Sequence, residues 1–147
     1  MPDVKFIWIG DGELRDLLTA PNIHVTGWAE RIDALKYAIP ANVFMLTSLW
    51  EGLPISLLEA MYMKKVCIVS DVIGNHDAIH NNENGFVCST VEEFTTAINS
   101  CRDKSAIKQL IENAFQDICS EYNTDVMAQK YNKIYSESLK NDSLSEI

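Results

Sequence analysis

Residues 43–70 read VFMLTSLWEGLPISLLEAMYMKKVCIVS, and this stretch decides the fold. The continuously apolar run at 43–46 fits a strand covered on both faces, where a half-exposed strand would alternate. A Gly/Pro turn carrying Glu51 breaks the run. Pro54 then opens a helical stretch to residue 63, at a position where its missing N–H costs a helix nothing. A second apolar run follows at 66–69. Strand, helix and strand in this order imply parallel pairing through a right-handed crossover.

The same alternation extends outward. Short strands are expected at 4–9, 22–26 and 86–87, the last introduced by the turn-forming run NNENG. Helical runs are expected at 13–18, 31–39, 75–80, 91–101, 105–120 and 125–140. Their inner stripes would be Leu14, Leu17 and Leu18; Ile32, Leu35 and Ile39; Phe94, Ala97 and Ile98; Ile107, Leu110, Ile111, Ala114 and Ile118; and Met127, Tyr131, Ile134 and Tyr135. Trp8 alternates with Phe6 and is expected to pack. Trp28 and Trp50 follow strands, where rim or core packing is expected and cleft lining is the alternative. Lys64 and Lys65 are expected to face solvent. The fold class is therefore α/β, a Rossmann-like parallel sheet flanked by helices, over residues 1–140, with a frayed tail at 141–147. Ligands of such folds bind beyond the carboxyl ends of the strands.

Composition narrows the function. The 147 residues make about one domain, and 47% apolar content suffices for a core. The net charge of −9 argues against nucleic acid and against docking on anionic lipid. It leaves phosphate binding open, because backbone N–H groups hold phosphate locally. Cys67, Cys88, Cys101 and Cys119 show no CxxC spacing and read as free thiols in a reducing compartment. No apolar run is long enough to span a membrane and no signal peptide is evident, so a cytoplasmic location is expected.

Glu51 and Glu59 flank the start of the central helix. A carboxylate accepts two hydroxyls of a vicinal diol with good geometry, so the pair suits a polyhydroxylated, anionic ligand such as a nucleotide sugar. The alternative makes Glu51 a capping acid and Glu59 a solvated helix residue. Ser70 to Asn75 precede a short helix whose amides would receive phosphate, or form plain loop. Gly10-Asp11-Gly12 is followed by Arg15, so it is not a dinucleotide fingerprint. His76 and His80 have metal-ligand spacing, but with only His24 besides them no metal site is expected.

FIWIGDGELRDLL, NIHVTGW, ANVFMLTSLWEGLPISLLEAM, VCIVSDVIGNHDAI and NENGFVC occur in this order over residues 6–88. In that order they resemble the C-terminal nucleotide-binding domain of retaining GT-B glycosyltransferases, family 4, often called the glycosyl transferases group 1 domain. The resemblance implies that Glu51 contacts the donor sugar as the catalytic carboxylate and that Glu59 holds the ribose hydroxyls. Gly52, Leu53, Pro54 and Ile55 would bring backbone to the diphosphate. The segment with Trp28 and Arg31 would lie next to the base, and Gly74, Asn75 and His76 would complete the donor site. The donor would be a UDP-sugar or GDP-sugar, with no cofactor and no metal.

There are departures. Lys64 and Val66 stand where the family tends to have Gly and Pro, and the GGxPE loop is Ile73-Gly74-Asn75-His76-Asp77. The family's preceding strand, with its Gly-Arg loop and nearby Lys, and its acceptor-binding N-terminal domain have no counterpart in residues 1–147. The expectation is the incomplete C-terminal half of a GT-B fold, inactive alone, whose open sheet favours self-association. The whole enzyme would transfer sugar to the hydroxyl of a glycan or lipid-linked acceptor, peripheral to the inner face of the membrane. A noncatalytic nucleotide-binding regulatory module and a nucleotide-sugar epimerase are the alternatives.

Overall fold

A computed structural model describes residues 1–142. Strands and helices alternate in the order β1 (Phe6–Trp8), β2 (Ile23–Val25), α1 (Arg31–Ala38), β3 (Val43–Leu46), α2 (Ile55–Tyr62), β4 (Val66–Ser70), α3 (Ile73–His76), β5 (Phe86–Cys88), α4 (Val91–Ser100), α5 (Lys104–Glu121) and α6 (Thr124–Asp142). All the strand pairs are parallel. The architecture is α/β and Rossmann-like, but the strands form two sheets, β1-β2 and β3-β4-β5, rather than one. Among the described residues, β1 pairs only with β2, and β3 pairs only with β4 on the side away from β5.

The chain divides into two compact units, residues 1–42 and residues from 43 onward. In the first, β1 and β2 pair from Phe6 with Ile23 to Trp8 with Val25. Gly10 and Gly27, both at positive φ, bridge beyond the strand ends, and the Gly10 N–H donates to the Gly27 carbonyl at 3.1 Å. The expected helix at 13–18 is a single 3-10 turn, Arg15–Leu17. The stripe expected on α1 is corrected: Leu35 is half-buried, but Ile32 is 68% and Ile39 61% exposed. Two strands of three residues offer too little surface to cover a three-residue stripe.

The second unit holds the core. Leu57, Ala60 and Met61 of α2 pack on Cys67 and Val69 of β4, with Ala78, Ile79, and Ala114 and Ile118 of α5. Ile68 and Cys88 meet Ala97 of α4 on a second cluster. Residues 66–69 are all buried, as their unbroken apolar run required. The inward stripes of α4 and α5 are as expected from their spacing. That of α6 is not: Met127, Tyr131, Ile134 and Tyr135 are exposed, and the two tyrosines stack on each other. α6 continues to Asp142; the rest of the expected frayed tail lies outside the described residues.

Two further corrections concern loops. Helix α3 begins at Ile73 rather than at Asn75, because the amides of Asn75 and His76 both donate to the Val72 carbonyl. Lys65 is half-buried rather than facing solvent, whereas Lys64 is exposed as expected. Lys64 adopts φ 56° directly after α2, and its ammonium pairs with Glu112 at 3.1 Å above the Phe115 ring. All four cysteines are free, and Cys119 is exposed. No described helix is long and apolar enough to cross a membrane.

Candidate functional site

Parallel pairing puts the carboxyl ends of β3, β4 and β5 at one edge of the three-stranded sheet. Three loops leave that edge: residues 47–54, 71–72 and 89–90. The first is the stretch SLWEGLP. Pro54 is the N-cap of α2, with an extended backbone and no side-chain hydrogen bond. Its carbonyl accepts from the amides of Leu57 and Leu58 at 3.0 and 3.3 Å. Among the described residues, the amides of Leu49 to Leu53, and of Ile55 and Ser56, find no acceptor. Backbone donors left open beside a helix N-terminus are of the kind that can hold an anion.

Glu51 lies within this run and is half-buried. Glu59, in the second turn of α2, is also half-buried, between the buried Leu57 and Met61. Gly52, Leu53 and Ile55 are exposed and Pro54 is buried. Trp50, expected at a packed rim, is 82% exposed. It sits in the loop between β3 and α2 and belongs to neither element.

Gly74 has a steric task. A Cβ at this position would lie 2.0 Å from the Gly52 carbonyl oxygen and 2.5 Å from that of Glu51. Its φ is not in the left-handed region, so glycine is required here by space and not by backbone conformation. Gly74 and Asn75 are both buried, behind the Glu51 loop, while His76 is exposed. His76 Nε2 is hydrogen-bonded to Asp71, and the Ser89 hydroxyl donates to the other oxygen of the same carboxylate at 2.9 Å. These two bonds, His76 first, hold the Asp71 carboxyl below its ordinary value. The Asp71 amide donates to the Cys88 carbonyl at 3.1 Å, and the Ser70 hydroxyl donates to that of Ser48 at 2.6 Å. The three loops are thus tied in series.

Sequence reading missed Ser48, Ser70, Asp71 and Ser89 in this role. Their signal was a small polar residue directly after an apolar run. His80 lies beyond the end of α3, so the His76–His80 spacing does not place two ligands on one helix. Among the described residues no cluster of three or more His, Cys, Asp or Glu is placed to hold a metal. Trp28 and Arg31 belong to the first unit. Trp28 follows Gly27 in a loop and is 78% exposed, which corrects the expectation of packing, and Arg31 opens α1.

A family model described as glycosyl transferases group 1 matches residues 1–104. The chain belongs to the glycosyl transferases group 1 family. This member is 28% identical over 152 residues to an Escherichia coli UDP-Gal:alpha-D-GlcNAc-diphosphoundecaprenol alpha-1,3-galactosyltransferase, with 96% of the chain and 39% of that protein aligned. It is 30% identical over 129 residues to a Campylobacter jejuni N,N'-diacetylbacillosaminyl-diphospho-undecaprenol alpha-1,3-N-acetylgalactosaminyltransferase, with 86% of the chain and 34% of that protein aligned. The chain therefore spans less than half the length of these relatives. Its fold matches that of Anabaena HepE, solved in complex with UDP-glucose, with a TM-score of 0.77 at 19% identity over 93% of the chain and 42% of HepE. The fold of this glycosyl transferases group 1 chain is that of one half of a GT-B enzyme.

Proposed function

We propose that the chain is the donor-binding part of a retaining glycosyltransferase that moves a sugar from a UDP-sugar or GDP-sugar to a hydroxyl. The observation that carries this reading is the run of unpaired amides from Leu49 to Ser56, interrupted only by Pro54, with Glu51 inside it and Glu59 one turn beyond its end. The amides and the α2 N-terminus would hold the donor diphosphate and stabilise the charge it gains on departure through an oxocarbenium-like transition state. Glu51 would orient donor sugar hydroxyls and steady the developing positive charge. Glu59 would accept both hydroxyls of the ribose. Trp28 and Arg31 keep, as part of the proposal, the base-side role that family resemblance implies.

Two relatives act, by their names, on sugars carried by diphosphoundecaprenol. That supports a lipid-linked glycan acceptor, bound by parts of the enzyme other than residues 1–140, at the inner face of the membrane. The free edges of β1 and β3 would accept a further strand, from the rest of the enzyme or from a second copy.

Calorimetric titration of the chain with UDP and GDP tests the donor site. Glu59→Ala removes a charged hydrogen-bond acceptor, a loss of about 1.5–3 kcal/mol or ~10- to 100-fold in Kd. An unchanged Kd would remove Glu59 from the site. In the full-length enzyme, Glu51→Ala should abolish transfer while nucleotide binding persists. Binding without transfer by the unsubstituted full-length enzyme would instead favour a noncatalytic nucleotide-binding module.

A further inference from the structure

Beneath the Glu51 loop lies a line of hydrogen bonds that no catalytic role explains. The Asn75 side-chain amide donates to the Ser70 carbonyl at 2.9 Å and to the Ser70 hydroxyl at 3.2 Å. That hydroxyl donates in turn to the Ser48 carbonyl at 2.6 Å. Ser48 is the residue from which Leu49, Trp50 and Glu51 depart. The direction of the line is fixed. The Ser70 carbonyl can only accept, so the NH2 of Asn75 must face it. The Asn75 Oδ1 is then left buried with no partner among the described residues.

A fully buried side chain that leaves one polar atom unpaired is a poor choice for stability alone. Its neighbour Gly74 bears on the loop from the same helix, at the carbonyls of Glu51 and Gly52. The loop is therefore set at two points, by a hydroxyl at Ser48 and by close backbone contact at residues 51–52.

We infer that Ser70 and Asn75 are positioning residues, which act through the Ser48 carbonyl to hold the Glu51 loop with its free amides in one anion-binding arrangement. The inference rests on the proposed donor site and adds residues that do not themselves touch the donor. Without the hydroxyl of Ser70, the Ser48 carbonyl and the Asn75 amide lose the atom that joins them. The loop amides then lose the bond that fixes where their segment begins, while Glu59 keeps its place on α2.

The test compares nucleoside diphosphates with nucleosides lacking phosphate on the 147-residue chain. UDP, GDP, uridine and guanosine are titrated calorimetrically against the unsubstituted chain, Ser70→Ala, Ser70→Thr and Glu59→Ala. Ser70→Ala is expected to weaken UDP or GDP about fivefold to tenfold and to leave uridine and guanosine unchanged. Ser70→Thr, which keeps the hydroxyl and suits a strand, should restore diphosphate affinity to within about twofold. Glu59→Ala should weaken diphosphate and nucleoside alike. Asn75→Asp, which turns the donor facing Ser70 into an acceptor, should repeat the diphosphate-selective loss.

Equal weakening of UDP and uridine by Ser70→Ala would overturn the inference, since general loss of structure does that. So would Ser70→Ala binding UDP as the unsubstituted chain does, or Ser70→Thr failing to restore it. If Glu59→Ala weakens binding while Ser70→Ala does not, the positioning role alone fails. If the unsubstituted chain binds neither UDP nor GDP, the donor site itself fails and the positioning role with it.

Discussion

Gly74 is the residue at which sequence and structure ask for the same thing for different reasons. Its place in a Gly-containing loop suggested backbone amides open to phosphate, whereas the structure buries it against the Glu51–Gly52 carbonyls. Gly74→Ala would force two backbone segments apart, an overpacking cost of about 1–3 kcal/mol. Thermal denaturation should show a lowered Tm, and UDP affinity should fall with it as the loop is displaced. Lys64 illustrates the converse. Its left-handed φ is a glycine-like position after a helix, where the family resemblance also expects Gly. The pairing with Glu112 and the Phe115 ring offers a physical reason why lysine is tolerated there. Neither contact is readable from sequence, since Glu112 and Phe115 lie about fifty positions away on α5.

At the scale of elements, the connection between β4 and α3 is joined to that between β5 and α4 by Asp71. Its carboxyl is held below its ordinary value of 3.8 by His76 and then by Ser89. A lowered carboxyl contributes fully above the unfolded-state value and loses its contribution as pH falls through the folded one. Acidification below about pH 4 should therefore release this link. Tm measured from pH 7 to pH 2.5 should fall less steeply in Asp71→Asn than in the unsubstituted chain; parallel curves would exclude Asp71 as a contributor. The α4 start that follows is fixed by a capping box. The Thr90 hydroxyl accepts from the Glu93 amide, and the Glu93 carboxylate accepts from the amides of Thr90 and Ser89. Elements with a strong period or an unbroken apolar run were legible in sequence: β3 has the expected limits, and the inner faces of α4 and α5 are those the spacing gave. The loops were not, because their order depends on side chains that meet across strand ends, such as Ser70 with Ser48 and Asp71 with Ser89.

Across the whole molecule, burial is unequally shared. Every buried apolar side chain of the described residues lies in the second unit, from Pro54 to Ile118, while the first unit buries only Gly27. The periodicity placed Ile32 and Ile39 on an inner face of α1, yet Ile39 is only the C-cap of that helix and both side chains are exposed. It failed because two short strands cannot cover that face, a quantity set by the sheet and not by the helix. Leu57→Ala should cost about 2–5 kcal/mol. Ile32→Ala, at an exposed site, should stay within about 0.5 kcal/mol. Denaturant titration of the two variants checks the contrast, and native-state hydrogen exchange should find the amides of β1 and β2 opening before those of β4.

The backbone contact at Gly74 also constrains how such a protein can be redesigned or can diverge. A library that randomises residues 49–53 to change sugar preference is built on a surface whose shape is dictated twenty positions downstream. Substitutions that lengthen or re-route that segment will be viable mainly when positions 70, 74 and 75 are kept, or are varied in the same library. Natural variants should change at the two places together, as an inherited pair.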